Sequence, residues 1–401
     1  MFSSFYSSFS GLVNFSKGLN VLSNNISNMN TQGFKASSAN FHDLVYKNSQ
    51  SLENQSSVQL GNGVSLGSTR LDFTQGEIQS TGNDLNAAID GNGLFILQDG
   101  KEQLYTRAGN FKFDDNDFLV DGNTGFKVLG FGSGGNLNPI NISHLKLNTP
   151  TPTSEVTFEN NLSTGSTSHT VSDLTVFDSL GSSHELSLEF TNNTGTVPGS
   201  WLFDVDDSAS ATLSSGEIRF NPDGTLQTGF NTHVFSFAPT GALATNITFN
   251  FGEPNNSAYG VTSLSLGSTS SLAVDAQNGI AAGSILSTTF DENGVLNIAY
   301  SNSESLTAQS LALAWFSNIQ DLVQAGSALF KSLPNNQPII AKANEGLSGS
   351  IKGGSIELSN VDLTEEFTDL IVVQRGFQGS SQIISASNEL VQELLDLNKG
   401  R

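Results

Sequence analysis

Residues 358–398 read LSNVDLTEEFTDLIVVQRGFQGSSQIISASNELVQELLDLN, and an apolar residue recurs there at every seventh position: Leu363, Leu370, Phe377, Ile384 and Val391. A strict seven-residue repeat keeps one stripe turned toward a partner helix, whereas a straight helix of 3.6 residues per turn drifts off that period. The positions midway between are mixed: Phe367 and Leu395 are apolar, but Gln374, Ser381 and Asn388 are polar. Such a narrow stripe suits contact between helices better than the broad face of a helix lying on a globular core. Asp362 and Thr364, with Glu365 and Glu366 behind them, supply N-cap oxygens and first-turn acids. A helix from about Asp362 to Asn398, about 54 Å long, is therefore predicted.

The other end of the chain repeats the pattern. Phe5, Leu12, Leu19 and Ile26 are again seven apart, predicting a helix from residue 3 to about 30. Gly11 and Gly18 share that spacing. Each glycine lowers helix propensity by about 1 kcal/mol, so their common face points to close approach by a neighbouring backbone. A helix of this kind is marginal alone and orders on packing.

More than 300 residues separate the two seams, and they read as strands and turns. The expected fold is mainly β with terminal α-helices: two nested β-domains looped out between N- and C-terminal coiled-coil-forming helices. Residues 1–70 hold the first helix and a polar, irregular connection. Residues 71–147 carry short strands around hairpin signals, such as Leu94-Phe95-Ile96-Leu97 before Asp99-Gly100 and Leu119-Val120 before Asp121-Gly122. The Pro-Thr run Asn148–Thr153 reads as a linker into an inserted domain, 148–283. That insertion has 13 acidic residues against a single base, Arg219, and alternating runs such as Leu186-Ser187-Leu188-Glu189-Phe190 and Ile247-Thr248-Phe249-Asn250-Phe251. Residues 284–359 are expected to return to the first β-domain, with Ser310–Phe330 open between strand and short helix, and 360–401 to form the C-terminal assembly helix.

Composition narrows the function. Of 401 residues, 16 are Lys or Arg and 38 Asp or Glu, a net charge of −22 that disfavours nucleic acid and anionic membranes as partners. Charged residues are 13%, against about a quarter in ordinary soluble domains, so Ser, Thr, Asn and Gly supply the polarity. With no cysteine there are no disulfides and no thiolate chemistry. The opening MFSSFYSSFSGLVNF has no basic residue before Lys17 and no small-residue cleavage site, so a cleaved secretory signal of the usual kind is not expected.

No reaction chemistry stands out. Gly130-Phe131-Gly132-Ser133-Gly134-Gly135 fits G-x-G-x-x-G, but Asn138-Pro139-Ile140 follows where a dinucleotide site needs a helix N-terminus, so a loop is expected. Asp114–Asp117 and Asp204–Asp207 lack calcium-loop spacing and read as solvated turns. His42, His144, His169, His184 and His233 have no metal-binding spacing. No catalytic residue, cofactor or metal ligand is assigned.

The ends carry a family resemblance. Ser10-Gly11-Leu12 and the run Leu19–Asn28, with Ser23, Asn24, Asn25 and Asn28, then Asn30-Thr31-Gln32-Gly33-Phe34-Lys35, resemble the N-terminal signature of bacterial flagellar rod and hook proteins. Leu358–Leu363 and Gln374-Arg375-Gly376-Phe377-Gln378 are similar to the matching C-terminal signature, and Ala88–Phe95 and Tyr105–Phe111 to the family's first β-domain. The resemblance implies a non-enzymatic structural subunit that polymerises with copies of itself into a helical tube. Terminal helices would line its inside, with the acidic insertion outermost. It further implies partners among the axial proteins (rod, hook cap, hook–filament junction), export through the flagellar type III apparatus, and a place in the basal body and hook outside the cell. The roughly 136-residue insertion points to the long, hook-type member of the family rather than the shorter distal rod type. A secreted β-domain adhesin, from a different class, would account for the acidic middle but not for paired heptads at both ends.

Overall fold

The structure, a computed structural model, describes residues 2–44, 47–49, 58–132, 134–258 and 260–399. The chain divides into two compact units: Met1–Ser143, Ser287–Ile298 and Leu306–Arg401 form one, and His144–Leu286 with Ala299–Ser305 the other.

In the first unit, helix α1 (Phe2–Ser27) and helix α2 (Leu363–Lys399) enclose the sequence as predicted. Asp362 caps α2, its Oδ1 accepting the Thr364 N–H at 2.7 Å. Most of the polar connection after α1 is not irregular. Ser37–Asp43 pairs antiparallel with Val64–Leu71, and Lys47–Ser49 with Val58–Leu60. Phe41 is the one large apolar residue of Ser37–Asp43, and Val64–Leu71 turns polar after Leu66, so neither carries an alternation long enough for hydrophobic periodicity to reveal it. The β-body follows. Hairpin Leu94–Asp99/Glu102–Thr106 turns at Gly100, where φ is 59°. Ser305–Trp315 pairs with Ile339–Lys342, so the undecided stretch begins as a strand. It continues as a single 3-10 turn, Ile319–Asp321, and a further hairpin, Leu322–Gly326/Leu329–Ser332. Phe95 packs edge-on against Phe111, and Tyr105 against Phe316, inside this core.

The second unit holds two four-stranded sheets. One is a meander of Ser168–Phe177, Ser183–Asn192, Ser200–Asp207 and Thr212–Arg219. The other orders Thr232–Phe237, Thr245–Asn250, Glu155–Glu159 and Ala273–Gln277, with its middle pair parallel. Leu186, Leu188 and Phe190 point inward while Glu185 and Glu189 point out, and residues of both sheets meet in one core around Trp201, Phe203 and Phe249. The Pro-Thr run is not a free linker: Thr151 exchanges two backbone hydrogen bonds with Ile280, and Thr153 is fully buried. The second unit begins earlier than composition suggested, because Tyr300 reaches back to donate its hydroxyl to the Leu145 carbonyl at 2.7 Å. Asp204–Asp207 is also not a turn; it is the end of a strand, with Asp207 Oδ1 capping the bend to Ala211. Asp114, by contrast, does cap a tight turn, and Gly132–Asn136 closes a hairpin loop between Lys127–Phe131 and Leu137–Pro139.

Candidate assembly interface

The two terminal helices pack against each other within the chain, antiparallel and through small residues. A Cβ on Gly11 would lie 2.8 Å from Ser380 Oγ, one on Gly376 2.7 Å from the Phe15 ring, and one on Gly18 3.5 Å from Val373. Asn25 Nδ2 donates to Glu366 Oε1 at 2.7 Å. In each of these pairs the two residue numbers add to the same value, so one antiparallel register holds from Gly11 to Asn25. The glycines do make room for close neighbours: the Ser380 side chain of α2 over Gly11, and the Phe41 ring of the hairpin with Val373 of α2 over Gly18.

The adjoining flank of α1 lies on the hairpin. Asn14 Nδ2 donates to the Val64 carbonyl at 2.8 Å, and the Leu66 N–H donates to Asn14 Oδ1 at 3.0 Å. Ser10 Oγ accepts the Val64 N–H at 3.2 Å. These side chains satisfy the free edge of a two-stranded ribbon as a third strand would. Phe15 and Phe41 pack with ring centroids 5.6 Å apart.

Below α1, the residues of the N-terminal motif form a clasp. Lys35 and Glu357 are fully buried and Arg107 nearly so. Lys35 Nζ donates to Glu357 Oε1 at 2.6 Å and to the Thr74 carbonyl, and Arg107 Nη1 donates to Glu357 Oε2 at 3.1 Å. Arg107 also donates to the carbonyls of Ile89 and Gly91, while Glu357 Oε1 accepts the Gly76 N–H. Burial holds the Lys35 ammonium and the Arg107 guanidinium below their ordinary values although Glu357 opposes this. Gly33 sits at φ 65° with no room for a side chain, its Cβ position 2.4 Å from the Ala108 nitrogen, and its N–H donates to the Glu357 carbonyl. Asn360 ties the strands together, accepting the Ala36 N–H and donating to the carbonyls of Asp72 and Thr74. Of the motif, Asn25, Gly33, Phe34 and Lys35 are buried. Thr31 and Asn28 are half-buried and bond to one another, while Ser23, Asn24 and Asn30 are exposed. Sequence reading missed Glu357, Glu366 and the pairing role of Arg107, because their partners lie hundreds of positions away and leave no spacing signal.

No residue of either apolar seam is fully buried. Leu12, Leu19 and Ile26 lie half-buried on the shoulder of α1, and Phe5 is 40% exposed. Leu363, Leu370, Phe377 and Ile384 lie half-buried along α2. Val391 is 41% exposed. Beyond the end of α1, every residue of α2 from 388 to 396 is exposed, including Leu390, Val391, Leu394 and Leu395. Phe367, Ile371 and Val372 add to this uncovered apolar surface. Among the described residues no group of side chains is arranged to hold a metal ion. His169 and His184 are engaged by the Leu272 carbonyl and the Asp178 carboxylate, and His233 meets Ser214 Oγ.

Comparison with known proteins covers the chain in four parts. Residues 5–35 match the family model described as flagella basal body rod protein, and 88–168 the flagellar hook protein FlgE/F/G D1 domain. Residues 144–365 match the flagellar basal body protein FlaE D2 domain, and 352–397 the flagellar basal body rod FlgEFG protein C-terminal. The flagellar hook protein FlgE of Salmonella typhimurium is 28% identical over 420 residues, spanning 98% of this chain and 100% of its own. That of Borreliella burgdorferi is 29% identical over 449 residues, spanning 99% and 100%. The crystal structure of Helicobacter pylori flagellar hook protein FlgE2 aligns with 70% of this chain and 99% of its own, at 13% identity and a TM-score of 0.45.

Proposed function

Because the chain belongs to the flagellar hook and basal-body protein family, whose FlaE D2 model alone spans residues 144–365, we propose that it works as a structural subunit of the bacterial flagellar hook. Copies polymerise into a tube through the terminal helices, and the tube carries motor torque to the filament. The observation that carries this reading is the bare end of α2. Leu390, Val391, Leu394 and Leu395 are uncovered in the single chain, on a helix that would be marginal there without a partner. The two half-buried seams add further apolar surface on the shoulders of the helix pair. The low-charge Ser, Thr, Asn and Gly surfaces of the β-units suit weak, interchangeable contacts in a tube that bends as it turns. Other axial proteins and the type III export apparatus are the further partners this role implies.

Electron microscopy of the purified protein tests the reading, with a curved tube expected; straight rods would favour the distal rod role instead. Replacing Leu394, 53% exposed in the monomer, by Asp should leave thermal unfolding of the monomer unchanged and abolish tubes. A monomer that unfolds earlier, or tubes that persist, would remove the end of α2 from the assembly surface.

A further inference from the structure

A groove of about 340 Å3 opens where α2, α1 and the hairpin meet. Leu22, Phe41, Val372 and Val373 form its apolar wall, and Asp72, Asp362, Glu365, Glu366 and Asp369 its charge, with no Lys or Arg lining it. Four of those acids stand at the rim. Glu366 is different: it is only 9% exposed, its Oε1 is held by Asn25, and its Oε2 has no partner. A buried carboxylate oxygen left unpaired costs free energy that a cation would recover.

The complementary group is on the same helix. Arg375 is exposed and makes no ion pair or hydrogen bond among the described residues. It follows Glu366 by nine positions, two and a half helical turns, and so projects from the opposite side of α2. A socket on one side of a helix and its plug on the other make a head-to-tail contact, which propagates into rings or helical filaments and cannot close as a twofold dimer. Resting on the assembly reading above, we propose that the groove around Glu366 receives the Arg375 guanidinium of a second copy of this chain. The planar guanidinium can serve Glu366 and a rim carboxylate together, and its methylene stem fits the Leu22–Val373 wall.

The same geometry makes Glu366 a burden on the monomer. Burial, with Asp369 and Glu365 nearby, raises its carboxyl above the ordinary value, against the Asn25 hydrogen bond. A carboxyl whose folded pKa exceeds its unfolded one makes the folded chain bind more protons, so stability falls as pH rises through that range. Glu366→Gln, which keeps the acceptor for Asn25, should therefore raise the melting temperature of the monomer at neutral pH and yet weaken the polymer. A residue serving only the monomer's own packing would move both in one direction.

Sedimentation of polymer against protein concentration reads the contact directly. Arg375→Glu should raise the concentration needed for polymer roughly tenfold or more, with Arg375→Lys less impaired. The chain has no cysteine, so Asp369→Cys and Gln378→Cys chains, the latter one turn from an intact Arg375, can be mixed, polymerised and treated with a short bis-maleimide. Dimers are expected from the mixture and none from either variant alone. Polymer from Arg375→Glu at the wild-type concentration, or an uncross-linked mixture, overturns the proposal. If Leu394→Asp abolishes polymer while Arg375→Glu does not, the assembly reading stands and this contact falls. A wild-type chain that never polymerises overturns both.

Discussion

Glu357 holds two cations, and no other residue of the clasp has comparable leverage. It lies on the short strand Ser355–Glu357, next to the residues that lead into α2, while Lys35 follows α1 and Arg107 belongs to the β-body. One fully buried carboxylate thus joins the N-terminal segment, the body and the C-terminal return. Pairing such groups is of modest net worth, because desolvation offsets most of the attraction, but removing one partner strands the others. Glu357→Ala leaves Lys35 and Arg107 buried and uncompensated, and should destabilise the first unit by about 3–5 kcal/mol. Calorimetry should show its melting lowered by roughly ten degrees. A shift of a degree or two would mean that water reaches the cations once the carboxylate is gone.

At the scale of the element, α1 depends on glycine at its contacts with α2. The helix has no acidic residue in its first turn and no basic residue in its last, so its macrodipole goes uncompensated by side chains. Its order comes from the α2 contact and from the Ser10 and Asn14 bonds to the hairpin. Gly376→Val puts a branched side chain where a Cβ already meets the Phe15 ring at 2.7 Å. The resulting overpacking should cost about 1–3 kcal/mol, concentrated on the helix pair. Limited proteolysis should then cut within residues 2–27 several times faster than in the wild type, while the β-body melts as before. Unchanged protection of α1 would show that the hairpin alone holds it.

At the scale of the whole molecule, the chain leaves the first unit at 143/144, comes back at 286/287, and visits the second unit again for residues 299–305. The second unit carries its own aromatic core, around Trp201, Phe190 and Phe249, and the first unit another, around Leu94, Tyr105 and Phe330. Deleting residues 148–283 and rejoining Leu147 to Ser284, which already pair across a two-residue ladder, should leave a folded first unit that still polymerises. Electron microscopy should find tubes of altered diameter or curvature. A soluble, folded deletion chain that forms no polymer would place the holding contacts in the second unit instead of the helices.

Local pattern along the chain was enough to determine the helices at both ends, the alternating strands of the acidic insertion, and the turn at Asp99-Gly100, because each rests on neighbours a few positions apart. The spacing of Gly11 and Gly18 already announced a close approach. What only the tertiary structure decided is what approaches them: side chains of α2 and, at Gly18, the Phe41 ring as well, in an antiparallel register that leaves residues 388–396 bare. The Lys35–Glu357–Arg107 clasp, the hairpin edge completed by Asn14 and the unpaired oxygen of Glu366 belong to the same class. Each depends on residues tens to hundreds of positions apart being packed together, and burial sets its energy. A polar side chain carries the same letter in the sequence whether it is solvated on a surface or enclosed beside its partner, so only the packed chain distinguishes the two.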